Sequence, residues 1–298
     1  MTAAADRFLV EVAGGRSVEM LTAGPPDGLP LVFHTGTPGG LVGFAPLIEA
    51  AAARNLRTIC YSRPGYGRSD PHPGRRVADA AADVAHVLDE IGATGFVTAG
   101  WSGGGPHALA TAALLGDRCL AAATIAGVAP YPASGLDWLA GMAAENVAEF
   151  GAAMDSEQTL TGFLGAAAEE LADVTADQVV EALGGLASAA DRAVLTGEFA
   201  QYLAESDRAA LSSGIAGWRD DDLAFVRDWG FRLDQVRVPL SIWQGDRDAM
   251  VPFRHGEWLA GQLPHARAHL LSGEGHLTLV QTRIDDIFGE LVQQAGRS

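Results

Sequence analysis

The feature that most constrains the fold of this chain is an apolar run that ends abruptly at a serine between glycines. The five residues before Gly100 are typical of a buried strand, and Gly100, Trp101, Ser102, Gly103 and Gly104 follow the pattern G-x-S-x-G. The residues after the pattern have the spacing of a helix. A sharp turn between strand and helix places the serine in a strained backbone conformation, beside which a Cβ atom has no room. The pattern therefore predicts a serine exposed at the carboxyl end of a strand.

This position makes Ser102 a candidate nucleophile and the N–H of Gly103 a candidate donor to an oxyanion. The first N–H groups of a helix have no partner within the helix, and the helix dipole favours negative charge there. The same five-residue pattern can arise by chance in a chain with 37 glycines. The strand-turn-helix context favours the functional interpretation over chance.

Length and charge limit the classes of function. With 298 residues, the chain has the length of one large domain or of a domain that carries an insertion. Its formal net charge of −17 would repel a polyanion at long range, so we expect no nucleic-acid partner. All 20 basic residues are arginines, and the lack of lysine excludes a Schiff-base lysine or a Ser-Lys pair.

The cysteines and the hydropathy pattern indicate a cellular compartment. Cys60 and Cys119 lie in runs typical of buried strands, so we expect reduced thiols in the core. No apolar segment of the sequence reaches the roughly 18 residues that a membrane span needs. The start of the chain, Met1 to Arg7, lacks a basic region followed by an apolar one. We therefore expect a cytoplasmic protein without membrane association, and the choice between monomer and homodimer stays open.

Strand-like and helix-like segments alternate through most of the chain, beginning with a β-hairpin pattern around Gly14 and Gly15. Such alternation predicts the α/β class, with a mostly parallel central sheet, helices on both faces and reactive groups at the carboxyl ends of the strands. One long segment breaks the alternation and is typical of several helices. We therefore predict a core of residues 1–130 and 234–298 and an inserted helical cap of residues 131–233.

Two kinds of candidate binding residue lie in or beside the predicted cap. Large apolar side chains are candidates for lining a substrate pocket, although such residues more often pack a cap against its core. The segment Trp218–Asp222 contains three adjacent aspartates, whose side chains point in different directions on a helix, so we expect helix capping rather than calcium binding. The candidate pocket residues are Trp101, Trp138, Phe163, Phe199, Tyr202 and Trp218.

With these features the chain resembles the α/β-hydrolase family over nearly its full length, in the branch with a serine nucleophile and a helical cap. That family carries its nucleophile, acid and histidine in this order along the chain. The stretch Gly245–Pro252 is similar to the family pattern G-x-x-D-x-x-V-P, which selects Asp248 as the acid and leaves Asp246 as the alternative. The Gly-His pair at His276, after the last predicted strand, resembles the family's pair. The resemblance thus implies a triad of Ser102, Asp248 and His276.

The residue types suit these roles. Histidine has a pKa near neutrality, so it can take the serine proton and return it to the leaving group. The acid must be buried enough to hold one imidazole tautomer and to offset the charge of the imidazolium. His34 and His107 compete with His276 for the role of base, but His34 lies beside a glycine-rich loop where the family's histidine is structural. Asp246 has the alternative of capping the helix predicted near Pro252.

The second donor of an oxyanion hole is expected in the loop after the third strand. In the family this loop has histidine and glycine followed by the donor residue, whereas here Thr35 separates His34 from Gly36. If Gly36 and the residues after it align with the family loop, the resemblance implies the N–H of Thr37 as the donor. Thr35 is the alternative.

The nucleophile limits the reaction. Epoxide hydrolases and haloalkane dehalogenases of this family attack a saturated carbon with an aspartate, and Ser102 argues against both. The resemblance implies attack on a carbonyl carbon, so we expect hydrolysis of a carboxylic ester, lactone or thioester of a small, apolar molecule. No cofactor and no metal ion is expected for this chemistry.

Two other functions stay open at this point. Aminopeptidases of this fold also have a helical cap and a similar glycine-rich loop, and they hold the substrate amine with carboxylates of the cap. The predicted cap is acidic, but acidic residues on helices are usually solvated. Its carboxylates include Glu145, Glu149, Glu169, Glu170, Glu198 and Glu205. Trp101 and Gly103 also differ from the pattern of that group. The third function is that of a ligand-binding relative that keeps the triad and turns over little.

Overall fold

A single eight-stranded sheet forms the centre of the computed structural model, which describes residues 5–296. Its order is β1-β2-β4-β3-β5-β6-β7-β8. β1 and β2 run antiparallel to their neighbours, and β3 to β8 pair in parallel, so the predicted mostly parallel sheet is confirmed. The strands are β1 (Asp6–Val12), β2 (Arg16–Ala23), β3 (Leu29–His34), β4 (Leu56–Tyr61), β5 (Phe96–Trp101), β6 (Cys119–Ile125), β7 (Leu240–Gly245) and β8 (Arg267–Leu271).

Helices cover both faces of this sheet. Successive residues of β3 point to opposite faces: Leu31 and Phe33 pack in a core that includes α1 and α12, and Val32 packs in a core that includes α2 and α3. The α-helices are α1 (Ala45–Ala52), α2 (Ala80–Glu90), α3 (Gly104–Leu114), α4 (Ala144–Asp155), α5 (Glu157–Leu171), α6 (Val179–Ala182), α7 (Ala189–Val194), α8 (Gly197–Leu211), α9 (Ala216–Phe225), α10 (Phe253–Gln262), α11 (His276–Thr282) and α12 (Ile284–Ala295).

Six of these helices, α4 to α9, lie in sequence between β6 and β7, and we call them the inserted helices. They occupy the segment in which the sequence breaks its alternation. A small core of their own contains Leu160, Leu164, Trp218 and Leu223, and Tyr66 from the loop after β4 packs into it. The inserted helices are therefore attached to the sheet as well as to one another.

The carboxyl ends of the parallel strands meet at one edge of the sheet, where ligands bind in folds of this type. The strand register places His34 beside Gly100 and Ile125 beside both Trp101 and Trp243. The loops that leave this edge carry the site residues that the sequence predicts, namely Thr37, Ser102, Asp248 and His276. The topology thus brings together positions that are far apart along the chain.

Two further expectations concern the cysteines and membranes. Cys60 and Cys119 are buried and unbridged, and burial raises the pKa of each thiol to about 12. Among residues 5–296, no helix combines the length and the apolar character that crossing a membrane requires.

Candidate active site

The turn at Ser102 connects β5 to α3 in the strained geometry that the sequence predicts. Ser102 has a φ of +56°, in the left-handed region that residues other than glycine rarely adopt. A Cβ atom built on Gly100 would lie 2.1 Å from the carbonyl oxygen of Gly104, and one built on Gly104 would lie 2.1 Å from that of His34. Only glycine fits at these two positions, and this confirms the steric reason for the pattern.

Backbone hydrogen bonds hold Ser102 at the edge of the sheet. Its N–H donates to the carbonyl oxygen of Ile125 over 2.8 Å, and its own carbonyl oxygen accepts from the N–H of Gly105 over 2.8 Å. Gly103 is the N-cap of α3, so its N–H belongs to a helix start, where negative charge is favoured. The half-buried side chain of Ser102 lines a cavity that the inserted helices also line.

Asp248 and His276 form the buried carboxylate–imidazole pair that the family resemblance implies. His276 is the first residue of α11, and its Nδ1 donates to Asp248 Oδ2 over 2.8 Å. The carboxylate also accepts from Gln244 Nε2 over 3.1 Å and from the N–H groups of Met250 and Val251 over 2.9 and 2.8 Å. Because both carboxylate oxygens are engaged, Asp248 is fixed and holds the imidazole in the tautomer whose Nε2 can accept a proton.

The pKa of His276 is raised above the usual value of a histidine. Burial lowers it, but the charge of Asp248, the hydrogen bond to Asp248 and the charge of Asp191 together outweigh burial. The ring of Trp101 packs against the imidazole with centroids 5.6 Å apart. His276 and Ser102 line the same cavity, although no hydrogen bond joins their side chains in the described part of the chain. Such contacts are often long until a substrate binds.

The two competing histidines are engaged elsewhere. His34 is hydrogen-bonded through Nε2 to the Thr98 hydroxyl over 3.1 Å and through Nδ1 to the Tyr61 hydroxyl over 3.2 Å. His107 Nδ1 is hydrogen-bonded to the carbonyl oxygen of Gly103 over 2.8 Å. Burial lowers the pKa of both rings, that of His107 to about 3. Neither ring lines the cavity, so the structure favours His276 as the base.

The alternative acid, Asp246, also has another role. It accepts from Ser272 Oγ over 2.9 Å and from the N–H of Gly273 over 2.8 Å, so it braces the loop after β8. The N-cap of α10 is Pro252, without a side-chain hydrogen bond, so the alternative interpretation of Asp246 as a helix cap is wrong.

The loop after β3 lies directly beside the turn at Ser102. A Cβ atom built on Gly36 would lie 3.5 Å from Ser102 Cβ, and one built on Gly103 would lie 2.3 Å from Thr37 Oγ1. Thr37 and Gly103, the two predicted oxyanion donors, are therefore neighbours in the cavity wall. Thr35, the alternative donor, lines the same wall.

Arg63, which the sequence did not single out, holds this loop in place. Its Nη1 donates to the carbonyl oxygen of Thr35 over 2.7 Å, and its Nη2 donates to that of Gly36 over 2.7 Å. Arg63 Nη2 also donates to Thr37 Oγ1 over 2.9 Å, and the Thr37 hydroxyl in turn donates to Asp221 Oδ2 over 2.8 Å. The predicted oxyanion loop is thus fixed by a buried guanidinium and by a carboxylate of α9.

Asp221 is the centre of a buried ion cluster. Arg63 Nη2 and Arg75 Nη1 each lie 2.6 Å from its carboxylate, and the Tyr66 hydroxyl donates to it over 3.0 Å. Burial by itself would raise the pKa of Asp221, but the charges of the two arginines lower it well below its usual range. The cluster therefore links α9 to the loops after β3 and β4.

This cluster corrects the interpretation of Trp218–Asp222 as a helix start. α9 begins at Ala216, so Asp220, Asp221 and Asp222 lie in its middle, and all three are buried. One partner of Asp221 is 158 residues away along the chain. No local pattern could have indicated this contact, because an aspartate in a helix has the same neighbours in sequence whether it faces water or an arginine.

A cavity of about 450 Å³ lies between the inserted helices and the carboxyl edge of the sheet. Four of the six predicted pocket residues line it, namely Trp101, Phe163, Tyr202 and Trp218. Trp138 and Phe199 do not line it, and both pack in hydrophobic cores. Trp138 lies edge-on against Phe150 with ring centroids 4.8 Å apart, and the ring of Phe199 lies 5.4 Å from that of Phe44.

The cavity wall is acidic and has no arginine among the described residues. Burial raises the pKa of Asp207 to about 7. Burial first, and then the neighbouring Glu149, raise the pKa of Asp222 well above its usual value. Since Glu149 also accepts from Trp218 Nε1 over 2.6 Å, the expectation that the acidic residues of this segment are solvated is wrong for Glu149. The carboxylates of the wall are Glu145, Glu149, Glu170, Asp207 and Asp222.

A mostly parallel sheet with a strained serine turn and a buried Asp–His pair at its carboxyl edge is the architecture of an α/β hydrolase. Sequence comparison leads to the same class. The model of the alpha/beta hydrolase fold family matches residues 30–281, so the chain belongs to that family. The resemblance drawn from the sequence is therefore confirmed.

A relative in sequence and two solved structures support the same fold. The chain is 31% identical over 234 residues to the pimeloyl-[acyl-carrier protein] methyl ester esterase of Aromatoleum aromaticum, which covers 74% of this chain and 80% of that protein. The bromoperoxidase of Bacillus anthracis has a TM-score of 0.71 at 20% identity, covering 98% of this chain and 100% of that one. A thermophilic esterase from Thermogutta terrifontis has a TM-score of 0.67 at 20% identity, covering 97% and 99%.

The ion cluster gives a prediction about stability. Asp221→Ala removes the counter-charge of two buried arginines, so we expect the free energy of unfolding to fall by about 3–5 kcal/mol. Urea denaturation followed by tryptophan fluorescence measures the change. Asp234→Ala, which breaks the exposed pair of Asp234 with Arg232, is the control and should leave the midpoint almost unchanged. Equal midpoints for the two variants would contradict the structural role given to Asp221.

Proposed function

We propose that this protein is a serine hydrolase that cleaves a carboxylic ester, lactone or thioester of a small molecule through an acyl-enzyme. The observation that carries the proposal is the 2.8 Å hydrogen bond between His276 and the buried Asp248, with His276 and Ser102 in the wall of the same cavity. The relative from Aromatoleum aromaticum is a methyl ester esterase, which supports the ester as the bond that is cleaved.

In the proposed reaction, His276 Nε2 takes the proton of Ser102 as Oγ attacks the carbonyl carbon. The N–H groups of Gly103 and Thr37 hold the oxyanion, and the imidazolium then protonates the leaving alcohol or thiol. Water enters, gives its proton to His276 and attacks the acyl carbon, and the acid leaves as Ser102 regains its proton. Thr37 is favoured over Thr35 as the second donor because Thr37 is the direct neighbour of Gly103.

We also propose that two parts of the chain have different roles. Residues 1–130 and 234–298 supply the nucleophile, the acid and the base, and residues 131–233 act as a cap that closes the substrate cavity. The apolar and aromatic side chains in the wall, among them Phe163, Leu183 and Tyr202, suit a small, apolar acyl group.

The proposal predicts covalent labelling of one serine. A fluorophosphonate should label the wild-type protein on the peptide that carries Ser102 and should leave Ser102→Ala unlabelled, because the probe needs an activated hydroxyl. The wild type should hydrolyse aryl esters, and Ser102→Ala should lose this activity. Peptide mapping by mass spectrometry and an ester panel are the measurements. A label on any other peptide would remove the basis of the proposed mechanism.

A second prediction concerns pH. His276 must be neutral to accept a proton, so kcat/KM should fall as the pH decreases through the raised pKa of His276, at a pH above the usual value for histidine. Asp248→Asn removes the charge that raises this pKa, so the acidic limb should move to lower pH. The loss of imidazole orientation should lower kcat by about 10³- to 10⁴-fold. A pH–rate profile with an unshifted limb in Asp248→Asn would contradict the assignment of the acid.

One observation favours a second candidate function, the release of an N-terminal residue from a peptide. Asp222 is buried in the cavity wall beside Glu149, and the described wall holds no arginine that could pair with these two carboxyl groups. Together with Glu149 it could accept hydrogen bonds from a substrate ammonium group, which this activity requires.

The two functions predict opposite substrate preferences. An ester hydrolase should turn over an aryl ester of a simple acid and leave an amino-acid anilide intact. An aminopeptidase should hydrolyse the anilide, and Glu149→Gln should raise KM for it, because one charge that holds the amine is lost. Hydrolysis of the anilide without hydrolysis of the ester would reject our first proposal.

A further inference from the structure

A carboxylate of the inserted helices reaches the helix that begins with His276. Asp191 lies on α7, is fully buried, and has no place in the cavity wall. Its Oδ1 accepts from the N–H of Leu277 over 2.7 Å and from the N–H of Thr278 over 3.2 Å. These are the first two amides after His276, so Asp191 caps the start of α11 from another part of the chain.

The carboxylate is itself held in place. Asp191 Oδ2 accepts from the hydroxyl of Ser188 over 2.7 Å and from the N–H of Ser188 over 3.3 Å. Ser188 Oγ in return accepts from the N–H of Asp191 over 3.2 Å, which completes a capping box at the start of α7. Asp191 thus joins the starts of two helices, its own and that of His276.

Gly275 is the reason why a residue from another part of the chain binds the first amides of α11. As the N-cap of α11 it has no side chain that could bind the first amides of the helix. A Cβ atom built on Gly275 would lie 2.4 Å from Asp191 Oδ1, so any larger residue would push the carboxylate away. The glycine before His276 and the aspartate of α7 therefore fit each other.

We propose that Asp191 is a positioning residue for His276, and that docking of α7 onto α11 is a condition for an active base. The inference rests on the proposed function. By binding the amides of Leu277 and Thr278, Asp191 fixes the backbone that carries the imidazole. A small displacement of a catalytic group is costly, with about a hundredfold in rate for a shift of about 1 Å.

The charged groups around His276 allow the contribution of Asp191 to be measured. Asp248 faces the imidazole from the loop after β7, and Asp191 faces the start of α11 from the inserted helices. Glu274, two residues before His276, is neutralised by Arg283, whose Nε donates to it over 2.8 Å. Asp191 is thus the second carboxylate that stabilises the imidazolium, and its charge raises the pKa of His276.

Two variants separate the charge from the hydrogen bonds. Asp191→Asn keeps an oxygen for the two amides and removes the charge, so the acidic limb of kcat/KM should move to lower pH with kcat within about threefold of the wild type. Asp191→Ala removes both, so the limb should move in the same direction and kcat should fall about ten- to a hundredfold. KM should stay nearly constant, because Asp191 does not line the cavity.

The control is Asp285→Asn, which alters an exposed carboxylate of α12 that pairs with Arg54 and contacts neither α11 nor the cavity wall. It should leave the pH profile and kcat as in the wild type. The rate of Ser102 labelling by a fluorophosphonate, measured across the same pH range, gives a second readout that needs no substrate. Thermal unfolding identifies any variant that fails to fold, and Asp191→Asn, which keeps its oxygen acceptor, tests the inference if Asp191→Ala does not fold.

The outcomes separate this inference from the proposed function. If the wild type is labelled at Ser102 but both Asp191 variants match Asp285→Asn in limb position and in kcat, Asp191 has no positioning role. If the wild type is not labelled at Ser102 and hydrolyses no ester, the proposed function itself fails. A shifted limb in both Asp191 variants, with a lower kcat in Asp191→Ala alone, is the result that we expect.

Discussion

The buried charge of Asp221 is the constraint on which the geometry of this site depends. A carboxylate withdrawn from water needs charged partners, and Arg63 and Arg75 supply them. Arg63 uses its other donors on the carbonyl oxygens of Thr35 and Gly36, so the same charge also holds the loop beside Ser102. Moving α9 away from the sheet would leave two buried guanidinium groups without a counter-charge. Helix α9 is therefore held to the loops after β3 and β4 by charge as well as by packing.

Asp191 makes a comparable contact at the start of α11, the helix that begins with His276. One buried aspartate of the inserted helices thus contacts the loop of Thr37, and another contacts the start of α11. The sheet alone provides the positions of the predicted catalytic residues, but the inserted helices complete the hydrogen bonds around them. We therefore expect the loss of either contact to disturb both the geometry of the site and the packing of the inserted helices.

The sequence indicated those features whose physical causes are local. The turn at Ser102 was predictable because Gly100 and Gly104 are demanded by backbone contacts within and beside the turn, and the parallel sheet followed from the alternation of strands and helices. Asp221 and Asp191 were not predictable, because their partners lie far away along the chain. The sequence also left open whether Trp138 lines the cavity or packs in a core, because an aromatic residue has no local feature that separates the two positions.

The acidic wall of the cavity has a consequence for the end of the proposed reaction. An ester group is uncharged, whereas the carboxylic acid released from Ser102 is ionised at neutral pH. Five carboxyl groups and no arginine line the described wall, so the ionised acid finds no arginine there to pair with. We therefore expect the cavity to hold the neutral ester more favourably than the anionic acid that is formed from it.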